Sequence, residues 1–269
     1  HKDKAAELLT PFATVSSKRA MIKLLLRQNS EFLEFLKSLS EKNYEKINTL
    51  VQTNDTFKDI PSYLTLMQDN QDKLQVIKEL IYSAKIDKAT EIIKELYHIP
   101  NIKDEIHSLY DLALDAKKLL KYYENNNFTQ CYELIDENTQ IDAMQLSILL
   151  ESHWSKTINQ CELFALSGNI KGIKDALGEL IHIRTRRGKI GDLLRLSFYS
   201  KIKELLEKQK FKSAENIIYS YIDIFGIDSE IKQFMMHYES TSQKKLAITI
   251  KGQKHLPRDN WVNSDIMTN

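Results

Sequence analysis

Apolar positions along this chain fall into a pattern that returns at a near-constant interval. An aromatic or aliphatic residue opens it, a small or β-branched one follows at +3, and an aliphatic one at +6. The clearest copy runs from Asn127 to Leu134, with Phe128, Cys131 and Leu134 as the triad. The same triad reads Tyr44, Ile47, Leu50; Ile86, Ala89, Ile92; Ile170, Ile173, Ala176 (with Leu177 beside it); and Phe211, Ala214, Ile217. The openers stand at 44, 86, 128, 170 and 211, so the steps are 42, 42, 42 and 41. So regular a step predicts a repeat protein.

Before each copy lies a longer amphipathic stretch. One carries Leu74, Ile77, Leu80 and Ile81; another Leu109, Leu112, Ala116, Leu119 and Leu120. A third carries Ile148, Leu149, Trp154, Ile158, Cys161 and Leu163, and a fourth Leu193, Leu196, Ile202, Leu205 and Leu206. Spacings of three and four residues over several turns predict helices with one apolar face. Short polar turns join these stretches to the copies: Ser83-Ala84-Lys85, Asn125-Asn126-Asn127, Ser167-Gly168-Asn169 and Lys208-Gln209-Lys210. Asn and Gly tolerate the left-handed backbone that ends a helix and reverses the chain. Pro61, Pro100, Asp136–Thr139 and Phe225-Gly226 stop the copies. The unit is therefore a long helix, a tight turn, a shorter helix and a loop. A hairpin of this kind covers one side of itself, and stacked neighbours cover the rest. Small residues at +3 suit the closest approach of two helices about 8–10 Å apart. The packing positions are then Tyr44 and Ile47, Ile86 and Ala89, Phe128 and Cys131, Ile170 and Ile173, and Phe211 and Ala214.

The second helices, such as Phe128-x-x-Cys131-x-x-Leu134 and Phe211-x-x-Ala214-x-x-Ile217, resemble those of tetratricopeptide-type (TPR-like) helical repeats over roughly Asn29 to Gly226. The interval of 42 exceeds that family's ~34, and its Trp-x-x-Leu-Gly-x-x-Tyr signature is missing. Long-unit scaffolds of bacterial flagellar-motor accessory rings are similar in the same degenerate way. The resemblance implies an all-α, right-handed α-solenoid of five to six antiparallel hairpins. Its organisation would be capping helices over 1–28, the array over 29–226, a capping helix over 227–240 and a tail over 241–269.

Outside the array, Lys4–Leu9 reads as a short helix broken by Pro11, with Phe12 packed on the next element. Ser16 and Ser17 open a second helix. A third follows Asn29-Ser30 and has Phe32, Leu33, Phe35, Leu36 and Leu39 on its apolar side. Asp228 caps a helix burying Ile231, Phe234 and Met235. Lys245–Ile250 alternates like a short strand, and Gly252–Asn269 has no period. Two readings of that tail stand: the start of a further domain, or an extended arm anchored by Leu256-Pro257 and Trp261-Val262.

Composition narrows the class further. Glycine (7) and proline (4) are scarce, which leaves little material for the turns of a sandwich or barrel. With 38 basic and 37 acidic side chains, the +1 chain has no net field drawing it to nucleic acid or an anionic membrane. No apolar run reaches the roughly 18 residues of a membrane span. The start at His1 fits a fragment of a longer protein or a processed chain. The cytoplasm is the expected compartment, the periplasm the alternative if the chain comes from an exported or membrane-anchored protein.

Candidate chemistry is sparse. Neither Cys131 nor Cys161 belongs to a metal-ligand spacing. Cys131 takes the slot of Ala89 and Ala214, as a packing residue would; a disulfide between neighbouring repeats is the other reading. Gly168, Gly172 and Gly178 read as close-packing positions. No dinucleotide or phosphate-loop motif, nucleophile elbow, zinc-protease motif or calcium loop is present, and the histidines are scattered. No catalytic residue, cofactor or metal is expected. Arg184, Arg186, Arg187 and Lys189, with Arg195 farther on, form either a solvated loop or a docking patch for an acidic or phosphorylated surface. Tyr122, Tyr123, Tyr219, Tyr221 and Tyr238 are either hairpin packing or interface tyrosines. The expected function is a non-catalytic protein–protein interaction scaffold or adaptor that binds a protein partner through the solenoid groove. The alternative is a regulator binding nucleic acid or an anionic ligand through Arg184–Lys189.

Overall fold

A computed structural model describes residues 2–27, 29–248, 256–264 and 266. Every regular element among them is helical, and none is a strand. In chain order the α-helices are α1 (Lys2–Leu9), α2 (Ser16–Arg27), α3 (Asn29–Ser40), α4 (Tyr44–Thr53), α5 (Pro61–Tyr82), α6 (Ile86–Leu96) and α7 (Lys103–Glu124). They continue as α8 (Phe128–Glu137), α9 (Gln145–Leu166), α10 (Ile170–Leu177), α11 (Arg187–Glu207), α12 (Phe211–Phe225) and α13 (Ser229–Ser242). Short 3-10 turns follow α4, α6, α8 and α10.

Each opener of the sequence pattern is the first residue of a helix: Tyr44, Ile86, Phe128, Ile170 and Phe211. Two residues earlier the backbone is left-handed every time, at Lys42, Ala84, Asn126, Gly168 and Gln209, with φ between 52° and 67°. The hydrogen bonds around these residues follow one scheme. At the α7–α8 turn the Asn126 N–H donates to the Tyr123 carbonyl at 3.0 Å and the Asn127 N–H to the Tyr122 carbonyl at 2.9 Å. This double closure satisfies carbonyls that a helix end otherwise leaves unpaired. The next residue then caps the following helix: the side chains of Asn43, Asn127 and Asn169 accept from Lys46, Gln130 and Gly172 N–H. Lys85 and Lys210 occupy the same place without a side-chain cap.

The +3 residues Ile47, Ala89, Cys131, Ile173 and Ala214 are buried in all five helices. The +6 residues are only partly buried; the second core position is +7, held by Val51, Ile93, Ile135, Leu177 and Ile218. Positions i and i+4 share a helix face, so +3 and +7 form the inward stripe and +6 sits on its shoulder.

By contacts the chain divides into two compact units, His1–Leu120 with Ala143–Gln145, and Lys121–Asp142 with Leu146–Asn269. In the first, α3 packs on α4 and α5 on α6. Its aromatic core holds Phe32, Phe35, Phe57 and Tyr63, with the Phe35 and Phe57 rings stacked at 4.4 Å. Two expectations fail here. Phe12 lies half-exposed in the 3-10 turn Thr10–Thr14 with the Lys18 ammonium over its ring, and Leu33 points outward. In α3 the inward stripe is Phe32, Phe35 and Ser38, which puts Leu33 on the opposite side.

In the second unit α11 packs against α10, α12 and α13. α9 departs from the expected face: Ser147, Leu150, Thr157, Ile158, Cys161 and Ala165 are buried, while Ile148, Leu149, Leu163 and Leu166 are exposed. α13 is capped by Asp228, whose Oδ1 accepts from the Ile231 N–H at 2.8 Å. Beyond α13, residues 243–248 carry no regular structure, so the strand suggested by the alternation is not formed over its described part. The remainder, Thr249 and Ile250, lies outside the described residues. Leu246 is buried, and the Ala247 N–H donates to the Tyr219 hydroxyl.

Candidate functional site

The basic stretch after α10 is no loose loop. Ile183 is fully buried, Arg184–Arg186 make one 3-10 turn, and Arg187 opens α11. That anchoring turns the cations back onto their own unit. The Arg184 guanidinium and backbone N–H both meet Glu133, at 2.8–3.0 Å. Arg186 forks onto Asp136 at 2.6 and 2.9 Å and also onto Glu151, and its side chain is only 11% exposed. Arg187 faces Asp259 at 3.5 Å, Lys189 meets Glu162 at 2.7 Å, and Arg195 meets Asp192 at 3.4 Å.

Arg186 also packs against two neighbouring aromatic rings, 4.6 Å from the centre of Tyr132 and 4.7 Å from that of Trp154. Burial opposes its charge, yet the hydrogen bonds it donates to Asp136 and Glu151 outweigh this and raise its pKa. Glu133 is held below its ordinary value chiefly by the Arg184 hydrogen bonds, against the opposing effect of burial. Burial pushes the Tyr132 phenol up to about 12; its hydroxyl donates to the Leu150 carbonyl at 2.8 Å. Each cation of the predicted patch thus has a carboxylate partner within the unit. Glu133 and Asp136 lie a turn apart on α8, a spacing the sequence displays, but nothing in it announced that they face residues some 50 positions on.

A second arrangement lies along α11. Leu166 of α9 and Lys189, Leu193 and Leu196 of α11 line a shallow recess of about 210 Å³, rimmed by the Lys189–Glu162 pair. It shares Asp192 and Leu196 with a larger open cleft of about 970 Å³. The cleft wall includes Arg195, Tyr199, Phe225, Asp228, Lys232 and the Leu256–Arg258 segment. Its acidic and basic groups balance in number. On its wall the Tyr199 hydroxyl donates to Asp228 Oδ2 at 2.8 Å, and Tyr221 donates to the same oxygen. Burial, reinforced by the Asp228 carboxylate, raises both phenols above their ordinary value. One carboxylate therefore accepts from two phenolic hydroxyls with one oxygen and caps α13 with the other.

Of the interface-type tyrosines, Tyr221 and Tyr238 are buried, Tyr219 bonds Glu215, and Tyr123 stacks edge-on against Phe128. Neither Cys131 nor Cys161 is in a disulfide; both are fully buried, and burial pushes both thiols up to about 11, far from a reactive thiolate. Gly172 is packed against Phe164, and Gly178 has open space around it. Among the described residues no group of His, Cys, Asp and Glu is placed to hold a metal ion, and no helix is long and apolar enough to cross a membrane. Comparison with protein-family models, with curated proteins and with solved structures gives no match.

Proposed function

We propose that the chain is a protein–protein interaction scaffold, a TPR-like, right-handed α-solenoid of five to six helical hairpins without catalytic activity, and that a protein partner docks along α9 and α11. The observation that carries this is the outer side of α9. The helix buries Ser147 and Thr157 and turns Ile148, Leu149, Leu163 and Leu166 to solvent. Leu163 and Leu166 lie one turn apart at the end of α9, where Leu166 lines the recess with Leu193 and Leu196 of α11. Exposed apolar side chains grouped in this way mark interaction surfaces. The likeness to scaffolds of flagellar-motor rings fits the same reading. Binding of nucleic acid or another anion through Arg184, Arg186, Arg187, Lys189 and Arg195 is the weaker reading, because those cations already have internal partners.

The test is capture from a nuclease-treated native extract at low and high salt, with Leu163→Glu/Leu166→Glu beside the unaltered chain. A stoichiometric protein retained in high salt and lost with the double variant is the expected result. Material that disappears with nuclease or salt, and is indifferent to the double variant, would transfer the function to the basic patch.

A further inference from the structure

Gly191 stands within α11, where a glycine costs a helix conformational entropy, and its position has a reason. A Cβ there would lie 2.8 Å from Nε1 of Trp261, an indole that is fully buried. The hole for the ring is thus built into the helix, not into the segment that fills it. Around it the seat is equally specific. The Asn260 side chain donates to the Ile224 carbonyl at 2.9 Å, near the end of α12. Leu256 comes into ordinary van der Waals contact with the place where a Cβ on Gly226 would stand, and the φ of 79° there turns the chain out of α12.

The rest of the hold is light. Arg258–Asp192 at 3.3 Å is largely exposed and hence screened, and Arg187–Asp259 is long at 3.5 Å. The Trp261 N–H is buried without an acceptor, which works against the seated state. A receptor shaped for one side chain, with weak ionic contacts around it and an indole N–H left without an acceptor, is the arrangement of a displaceable strap.

We propose that the trough between α11 and the end of α12 is a docking site for an extended peptide anchored by an indole, preceded by a basic residue and an apolar-proline pair. The chain's own Leu256–Ser264 occupies it in cis and must be displaced by a partner segment of the same chemistry. This rests on reading the chain as an interaction module, but its test needs only the chain and peptides. It can therefore fail while partner capture through α9 succeeds, and the reverse.

A labelled synthetic peptide with the sequence of residues 256–264 is titrated by fluorescence anisotropy into the 269-residue chain and its variants. A tethered segment competes at an effective concentration on the order of millimolar, so the unaltered chain should bind the peptide at least about tenfold more weakly than Trp261→Ala does. The peptide with its indole replaced by alanine, and the Trp261→Ala/Gly191→Leu chain, should both lose binding. Absence of binding to a folded Trp261→Ala chain overturns the proposal, as does equal binding by the Gly191→Leu double variant. Should Trp261→Ala not fold, hydrogen exchange on the unaltered chain decides. Excess peptide should speed exchange of residues 256–264, and unchanged exchange overturns the proposal.

Discussion

The guanidinium of Arg186 lies 4.7 Å from the ring centre of Trp154, while its nitrogens fork onto Asp136 at 2.6 and 2.9 Å. This joins the start of α11 to α8 and α9 through one side chain. A planar cation can satisfy carboxylates in its plane while its face packs against aromatic rings; a lysine cannot do both.

Arg186→Met should therefore destabilise the second unit. It leaves Asp136 and Glu151 without their cation, and breaking a buried pair costs about 3–5 kcal/mol. With Glu151 41% exposed, about 2–3 kcal/mol is the expected loss. Arg186→Lys should recover under half of it. Urea unfolding followed by circular dichroism checks both, and a Lys variant as stable as the original would refute the stacking argument.

At the +3 positions, Ala89 and Ala214 are fully buried. Ala89→Phe and Ala214→Phe should each overpack their helix pair and cost about 1–3 kcal/mol or more. Phenylalanine at +6, in Ile92→Phe and Ile217→Phe, should cost less, because that shoulder is only partly covered. Thermal melts of the four variants test the inward-stripe assignment; equal losses at both positions would contradict it.

The left-handed residue of each turn offers a stabilisation test. At Ala84, with φ 61°, a Cβ is strained, so Ala84→Gly should gain about 0.5–1 kcal/mol. Gly168→Ala is the converse. Its φ is 67° and a Cβ would come within 3.1 Å of the Lys201 backbone, so a loss of about 1–2 kcal/mol or more should appear. Denaturant midpoints moving in opposite directions are the expected pair of results.

Alkaline pH should unfold the second unit early. Tyr132, Tyr199 and Tyr221 have raised pKa values in the folded chain, so the unfolded chain releases its phenolic protons first, from about pH 10. Their contribution is complete below that pH and falls as pH rises. Each removes up to about 1.4 kcal/mol per pH unit until its folded pKa is passed. Unfolding free energy measured from pH 9 to 12 should bend downward, and Tyr199→Phe should lessen the slope. On the acid side Glu133 works oppositely. Its lowered pKa means that stability present above the ordinary carboxylate value is lost as pH falls below it.

Much of this architecture is written locally. The helix starts at Tyr44, Ile86, Phe128, Ile170 and Phe211 could be read from the period, because a helix opening depends on a few adjacent residues and its cap. The turn at Asn125–Asn127 is equally local. Its left-handed residue was foreseeable at Asn126 and Gly168, less so at Lys42 and Gln209, where the side chain gives no sign and the closing hydrogen bonds impose the conformation.

Other features were decided only when distant segments met. α9 carries apolar residues all round, so its sequence could not say whether Leu163 or Ala165 faces inward; the volume left by its neighbours did. The cations of Arg184–Lys189 looked like a surface patch because their carboxylates lie far along the chain, on α8, on α9 and at Asp259. Gly191 and Trp261 illustrate the limit best. Periodicity reports which residues repeat along one helix, whereas the fit of an indole over a missing Cβ exists only after two remote segments share one space. By itself the sequence determined the helices and their turns, since those rest on neighbouring residues. Which faces are buried, which charges are matched and what covers α11 were left to the packing.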